Sequence, residues 1–406
     1  MKVKKIDIEK AVYVLVMIFV LNINYSLFHV SSQVHYIIVH AFSILCLVQM
    51  VQTKKSERKY FYELLRSYFL PLMAVTFLSV ITAIMVWHTS VQGDYTQSIR
   101  RLFFFFEAAL IAFSLYKKFG KNCLQLIVLA GFIAYTTVII QWIAQMGIRG
   151  ILHPFMRNSG GISLEIHEFT YICAMCLIYT ILSTSFTKTY KIKMGIVLLV
   201  AVFLGNKRAI YLAMALSLLV YFGLHKFDNR RKQLLRFITV LYFIAAFIWL
   251  YLIKSGILYA VCAYYGINSS SRFTFWNYFA PSYDLSINFW GRGIAYTSNV
   301  MATDAFRRPL MISISTELHN DILRTYIGWG FIPFIIYYYN FIVLQLKKVS
   351  KIVNDDGAWA FFSIVSYIFF VYFFDNMFDA YGFNITFYCI WFCTVMSKTT
   401  NHIYRN

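Results

Sequence analysis

The sequence predicts an all-α, polytopic integral membrane protein with about twelve transmembrane helices. Of its 406 residues, 60% are hydrophobic and 19% aromatic, and only 13% are charged. A soluble domain of this length would carry charge over most of its surface, so the composition indicates a membrane protein. Apolar runs long enough for a spanning helix, which needs about 20 residues, recur along the whole chain. We therefore treat residues 1–406 as one membrane domain.

Twelve apolar runs qualify as candidate spans. The weakest are the seventh and eighth, which only a tight turn separates. The twelve lie near residues 11–28, 34–51, 68–87, 101–116, 123–146, 168–186, 192–206, 209–225, 235–253, 322–346, 358–376 and 382–397.

The basic residues predict the orientation of these spans. With the N-terminus inside, 25 of the 37 Lys and Arg residues fall in segments such as KKSERK (54–59) and KFDNRRKQLLR (226–236), on the cytoplasmic side. An excess of Lys and Arg in cytoplasmic loops is the usual bias of membrane proteins. The net charge of +20 therefore needs no nucleic-acid partner. Both termini are expected in the cytoplasm.

The longest segment between spans, residues 254–320, precedes the tenth span on the outer side. A segment of this length in a compact protein is usually functional or disordered. This one contains Trp276, Trp290 and many Tyr and Phe residues. We therefore expect it to fold against the outer face.

A polar stretch, STELHNDILRTYIGWG (315–330), begins the tenth span and includes His319, Asn320, Asp321 and Arg324. Ionisable residues at the end of a lipid-facing helix are costly, and a functional site is their default interpretation. A simpler interpretation is that Asn320 caps the helix and its neighbours lie at the membrane interface.

The same predicted side carries several arginines, including Arg157, Arg208, Arg272 and Arg292. The planar guanidinium group matches phosphate oxygens with two parallel hydrogen bonds. Two or more such groups could hold a pyrophosphate while it leaves a carbon centre. The unperturbed pKa of histidine lies near working pH, and His319 stands where it could accept a proton from an attacking hydroxyl group.

Five motifs occur here in a recognisable order. They are RNSGG…E (157–165), the KRA turn (207–209), R-x-x-x-W (272–276), GxG (291–293) and LHNDILRTYIGWGFIP (318–333). In order and spacing they resemble the O-antigen polymerase and O-antigen ligase superfamily of membrane glycosyltransferases. The resemblance covers roughly residues 150 to 335, and H-N-x-x-L followed by Gly is its most specific element.

The resemblance implies a twelve-span helical fold in the bacterial cytoplasmic membrane, with the active site facing the exterior. The implied donor is a glycan on undecaprenyl pyrophosphate. An acceptor hydroxyl group attacks the anomeric carbon with inversion, without a metal or cofactor. The product would be O-antigen, capsule or exopolysaccharide. The implied partners are the lipid-linked donor and acceptor, the bilayer, and the flippase and chain-length regulator of the same pathway.

By position, His319 matches the general base of the family, and Arg208 and Arg272 match the arginines that bind pyrophosphate. The family turn often reads Ser-Arg, so a phosphate-binding role for Lys207 stays open. Glu165 matches a family acid, although Ile166 stands where Pro commonly follows. The residues expected to support the site are Arg157, Glu165, His167, Arg292, Asn320 and Arg324.

His167 is a rival general base, because Glu165 and Glu168 could orient it. The family pattern favours His319. Among related activities, a polymerase is favoured over a ligase that transfers polymer to lipid A-core, because additional cations could hold a second lipid pyrophosphate. A flippase is a further alternative, but paired halves with matching broken helices are not evident. Metal-dependent polyprenyl transferases place acids in the first outward loop, and FHVSSQV contains none.

Three remaining features have structural interpretations. Glu107 lies within an apolar span and is expected to pair with a basic group of a neighbouring helix. Asp375 and Asp379 follow the eleventh span and are interpreted as solvated capping residues. Cys173 and Cys176 form a CxxC within an apolar run, where cysteine is expected to be a small packing residue.

Overall fold

The computed structural model of the chain describes residues 5–87, 94–147, 167–205, 207–227, 231–266, 272–307, 318–353 and 355–396. Arg157 and Glu165 lie outside these ranges. His167 begins a helix, but its side chain is likewise outside what the structure describes.

The described residues form helices and the segments that join them, with no β-strand among them. The first ten helices are α1 (Lys5–Leu21), α2 (Ser32–Gln52), α3 (Lys55–Leu64), α4 (Leu70–Trp87), α5 (Asp94–Phe119), α6 (Cys123–Met146), α7 (His167–Leu182), α8 (Lys188–Gly205), α9 (Arg208–Lys226) and α10 (Arg231–Lys254). The others are α11 (Ile257–Tyr264), α12 (Arg272–Phe279), α13 (Tyr296–Met301), α14 (Asp304–Arg307), α15 (Asp321–Trp329), α16 (Phe331–Tyr339), α17 (Gln345–Ile352), α18 (Asp355–Val371) and α19 (Tyr381–Val395). Single π-helical turns join α3 to α4 and α16 to α17.

Within these ranges, five helical segments are long and apolar enough to cross a membrane. They are Ser32–Gln52, Lys55–Met85, Ile99–Gln145, Arg208–Lys226 and Gln233–Lys254. Helices α8 to α10 also expose large apolar side chains, among them Phe203, Leu219, Phe222 and Ile244. Exposed apolar surface of this extent is typical of contact with lipid or another protein. The count of twelve spans and their orientation stay predictions.

The core of the described helices is built on α18 and α19, which are linked by residues 372–380. Every residue of α19 is buried, and this helix packs against α5 and α7. Helix α18 packs against α7 and α9. The linker between α18 and α19 is itself mostly buried, so its polar side chains lie inside the protein.

The predicted tenth span, 322–346, is not one continuous helix. It breaks at Gly330, which ends α15 and begins α16 with φ +84°. The irregular segment 289–293 packs into the break: Phe331 N–H donates to Phe289 O at 2.8 Å, and Arg292 N–H donates to Ile327 O at 2.8 Å. These hydrogen bonds satisfy backbone groups that the break removes from the helical pattern. The GxG motif therefore lies where the backbone of segment 289–293 closely approaches the backbone at the break in the helix.

The described residues of the long segment 254–320 pack against the rest of the protein, and the place of this segment on the outer face stays a prediction. Phe279 and Phe306 are fully buried within it. The Tyr283 hydroxyl donates to Leu250 O at 2.6 Å, which fixes the segment to α10. Arg101 of α5 donates to Ile294 O at 3.0 Å, so the segment also contacts the core.

Glu107 is paired, as predicted. Its carboxylate contacts His40 Nδ1 of α2 at 2.5 Å and accepts from the Tyr381 hydroxyl at 2.9 Å. The seven cysteines are all buried and free, which agrees with a packing role for Cys173 and Cys176.

Gly330→Ala is expected to destabilise the protein by about 2 kcal/mol or more, because the residue would be strained at this φ and would meet backbone atoms. An added Cβ would lie 2.3 Å from the carbonyl carbon of Trp290. Thermal unfolding in detergent, followed by tryptophan fluorescence, measures the effect.

Gly223→Ala in α9 is the matched control, since a Cβ there meets nothing within 4 Å. Alanine is the better helix former, so this variant should unfold at the same temperature as the wild type or higher. Equal unfolding temperatures of the Gly330→Ala and Gly223→Ala variants would show that the break at Gly330 is not tightly packed.

Candidate functional site

The linker between α18 and α19 places a fully buried carboxylate, that of Asp375, among four other elements of the chain. Lys207 Nζ, at the start of α9, donates to Asp375 Oδ2 at 2.5 Å. The Tyr171 hydroxyl of α7 donates to the same oxygen at 2.7 Å. His319 Nδ1, just before α15, lies 2.9 Å from Asp375 Oδ1. We call Asp375, Lys207, Tyr171, His319 and Arg272 the Asp375 cluster.

His319 is oriented by the carboxylate of Asp375. A carboxylate only accepts hydrogen bonds, so the neutral ring carries its proton on Nδ1 and has its lone pair on Nε2. The side chain is 24% exposed, whereas Asp375 is fully buried. The ring therefore connects a buried carboxylate to the accessible side of the cluster. A carboxylate that fixes the tautomer of a histidine in this way is the arrangement of a general base.

The backbone of His319 is in the left-handed region, with φ +50°. A non-glycine residue rarely adopts this conformation unless its surroundings enforce it. On one side, Leu318 O accepts from Trp276 Nε1 at 2.6 Å. On the other, Asn320 N–H donates to Asn376 Oδ1 at 3.2 Å, and Asn320 Oδ1 caps α15 by accepting from Leu323 N–H at 2.9 Å. The backbone strain at His319 is therefore maintained by hydrogen bonds to its two neighbours, Leu318 and Asn320.

Arg272, the first residue of α12, completes the cluster. Its NH1 group donates to Phe374 O at 3.0 Å, and its NH2 group lies 4.0 Å from Asp375 Oδ2. The Arg272 side chain is 24% exposed and that of Lys207 is 5% exposed. Among the described residues, two cations and one carboxylate give the cluster a net charge of +1 when His319 is neutral. Such a site attracts an anion, and Arg272 is the cation that an anion can reach.

A second group of charges lies beside the first. Asp379 bridges Arg324 of α15, at 3.0 Å, and Arg101 of α5, at 3.2 Å. Arg324 also contacts Asp321 at 2.5 Å. Burial alone would raise the pKa of the Asp379 carboxyl, but the guanidinium groups of Arg324 and Arg101 lower it to about 2. Asp379 therefore stays ionised. Burial raises the pKa of the Asp321 carboxyl to about 7, so the four charges cancel only when Asp321 is ionised.

The second group joins the linker to α15. Phe378 N–H donates to Asp321 Oδ2 at 2.7 Å, and Ile322 N–H donates to Tyr372 O at 3.0 Å. These bonds lie on both sides of Asp375 and just after His319, so they fix the separation of those two residues.

Of the predicted site residues, the structure brings together His319, Lys207 and Arg272. Asn320 is the predicted N-cap of α15. Arg208 begins α9 one position after Lys207, and its side chain is exposed. Lys207 is the extended N-cap residue of α9 and its side chain is buried against Asp375, whereas Arg208 is the first helical residue and is exposed. Lys207, whose phosphate-binding role the sequence left open, therefore lies beside Asp375. The pyrophosphate-binding role of Arg208 stays a prediction.

Two supporting residues have other contacts. Arg292 Nε donates to Ser282 O at 2.5 Å, and its guanidinium group lies over the Tyr296 ring, so it holds the long segment. Arg324 belongs to the second group, where it is paired with Asp321 and Asp379.

The interpretation of Asp375 and Asp379 as solvated capping residues was wrong. Asp375 is fully buried, and both carboxylates hold cations from other helices. The sequence did carry a signal: the stretch FFDNMFDAYG places two acids at the end of an apolar span. Ionisable residues in such a place indicate a functional site, as they did for His319. Tyr171 gave no signal, since one tyrosine among 31 looks like packing.

Among the described residues, no group of three or more His, Cys, Asp or Glu side chains is arranged to hold a metal ion. Comparison of the chain with protein-family models, curated proteins and solved structures found no match. The site must therefore be interpreted from its own chemistry.

Asp375→Asn is expected to lower the stability of the protein by about 3–5 kcal/mol, because it leaves the buried ammonium group of Lys207 without its carboxylate. Lys207→Met removes that ammonium group. The double variant should be more stable than the sum of the two single effects predicts, by about 2 kcal/mol. Unfolding in detergent measures all three variants.

Glu9 and Lys118 provide the control cycle, because they lie 3.3 Å apart with both side chains more than a third exposed. Exposed pairs couple by less than about 1 kcal/mol. If the changes in free energy of unfolding added as closely for the Asp375 and Lys207 variants as for the control pair, the contact between these two residues would contribute no more to stability than an exposed ion pair does.

Proposed function

We propose that the protein is a membrane glycosyltransferase that joins oligosaccharide repeat units carried on undecaprenyl pyrophosphate. The observation that carries this proposal is the pairing of His319 with Asp375, next to the partly exposed guanidinium group of Arg272. A base beside a cationic surface is what transfer of a sugar from a pyrophosphate requires. The order of sequence motifs adds the family resemblance.

In the proposed reaction, His319 Nε2 takes the proton of an acceptor hydroxyl group. The hydroxyl oxygen forms a bond to the anomeric carbon on the face opposite the leaving group. The bond from that carbon to the phosphate oxygen breaks, and undecaprenyl pyrophosphate leaves with the electron pair. Proton transfer by a positioned side chain typically contributes about 10²–10⁴-fold to the rate.

The cations have different roles in this mechanism. Arg272 stabilises the charge that develops on the leaving pyrophosphate, because its guanidinium group is accessible. Lys207 is buried against Asp375 and Tyr171, so it holds the carboxylate that orients His319. Arg208, with its exposed side chain, is available to a second phosphate further out.

We further propose twelve spans, both termini in the cytoplasm, and a site that faces the exterior from the bacterial cytoplasmic membrane. In support, residues that the charge bias assigns to the outer side, such as Arg101, Lys207, Arg272 and His319, come together at one end of the core helices. Lys117 and Lys118 lie at the other end of α5.

A polymerase must hold two lipid pyrophosphates. Arg324 is neutralised by Asp321 and Asp379, so it does not add to the cations available for this purpose. Arg100 and Arg208 are exposed at the same end and could serve a second carrier. This favours the polymerase, with transfer of polymer to lipid A-core as the alternative activity.

His319→Ala is expected to abolish polymerisation. The protein is expressed in cells that lack their own copy, and surface glycan is analysed on a gel. The wild type should restore a ladder of chain lengths, while His319→Ala should leave a single repeat unit.

His225→Ala is the matched control, since this histidine is exposed at the far end of α9. It should give the wild-type ladder. Long polymer that accumulates on undecaprenyl pyrophosphate without the protein would indicate a ligase. A full ladder from well-expressed His319→Ala would exclude His319 as the base, and His167 would be tested next.

A further inference from the structure

A polar cavity lies at the opposite end of the helices from the Asp375 cluster. It has a volume of about 400 Å³ and lies where the end of α2, the start of α3 and the end of α5 meet. Arg101 and Lys117 mark the two ends of α5, about 24 Å apart along the helix axis. The cavity is therefore separate from the proposed active site.

The walls of the cavity are basic. Three lysines line it, and Glu57 is the carboxylate among its lining residues. Lys117 is bonded to Glu57, and Lys118 contacts Glu9 at 3.3 Å. These pairs leave the positive charge of Lys54 in excess, at the start of the basic run KKSERK. An anionic group in the cavity would balance this charge.

The floor of the cavity offers hydrogen-bond donors. Gln49 Oε1 accepts from the Ser114 hydroxyl at 2.6 Å and from the Tyr13 hydroxyl at 3.0 Å. Gln49 lines the cavity, and with its carbonyl oxygen committed to these hydroxyls its amide still has the NH₂ group as a hydrogen-bond donor. Helix α3 starts beside it without a side-chain cap. The first backbone N–H groups of a helix point past its N-terminus, where they favour an anion.

The mouth of the cavity adjoins an apolar surface. Leu45, Val48 and Val51 of α2 are exposed next to the lining residues Gln49 and Gln52. Exposed apolar side chains on a spanning helix face lipid tails. A ligand with an anionic head and an apolar tail matches both the cavity and this surface.

We propose that this cavity binds the phosphate headgroup of an anionic glycerophospholipid. The lysines, the Gln49 amide and the start of α3 contact the phosphate, and the acyl chains lie along α2. Basic pockets between membrane helices bind lipid headgroups in this way. Free phosphate shares the headgroup chemistry and lacks the acyl chains. This inference does not depend on the glycosyltransferase activity.

The test is native mass spectrometry of the purified protein in detergent, with phosphatidylglycerol or phosphatidylcholine added. The wild type should retain phosphatidylglycerol preferentially. The double variant Lys54→Ala/Lys117→Ala should bind phosphatidylglycerol at least about tenfold more weakly than the wild type, because each lysine near a lipid headgroup contributes measurably to binding.

Lys226→Ala/Lys347→Ala is the matched control, because it removes the same charge from exposed lysines outside the cavity. It should bind phosphatidylglycerol as the wild type does. Equal loss in both double variants, or no loss in either, would overturn the site. Displacement of phosphatidylglycerol by millimolar inorganic phosphate would overturn the assignment to a lipid. Thermal unfolding of each variant without lipid shows that it is folded.

Discussion

The described part of the structure depends on one buried carboxylate. Asp375 accepts hydrogen bonds from Lys207 and Tyr171 and orients His319, so α7, α9, α15 and the linker between α18 and α19 meet at one side chain. Burying a carboxylate is costly unless it is both paired and hydrogen-bonded. Here each oxygen has such partners. The interaction therefore contributes to packing and at the same time fixes the tautomer of a histidine.

The irregular backbone of this region has a consistent physical basis. Gly330 breaks a helix, His319 adopts a left-handed conformation, and residues 372–380 form a buried linker. Such backbone is tolerated inside a helical membrane protein only where other groups satisfy its polar atoms. Segment 289–293, Trp276 and Asn376 do so here. The described part of the long segment 254–320 thus belongs to the framework that holds the site.

The helical class and most helix positions could be predicted from the sequence, because apolar length alone determines them; the predicted span 123–146 coincides with α6. The break at Gly330 could not, since it depends on a contact with Gly291, 39 positions earlier. His319, Lys207 and Arg272 could be grouped by their predicted side of the membrane. Asp375 was missed because its role appears only when four distant elements meet. The direction of the side chains determines that Lys207, and not Arg208, contacts Asp375. A linear sequence motif does not contain this information.

The most direct measurement is a reaction of the purified protein with a defined repeat unit on undecaprenyl pyrophosphate, in proteoliposomes. Wild-type protein should release one undecaprenyl pyrophosphate for each new glycosidic bond, and Asp375→Glu, which keeps the charge but moves the carboxylate, should slow bond formation more than donor binding. Movement of the lipid-linked glycan across the membrane without any bond formed would contradict the assignment, and would make the Asp375 cluster part of a transport pathway.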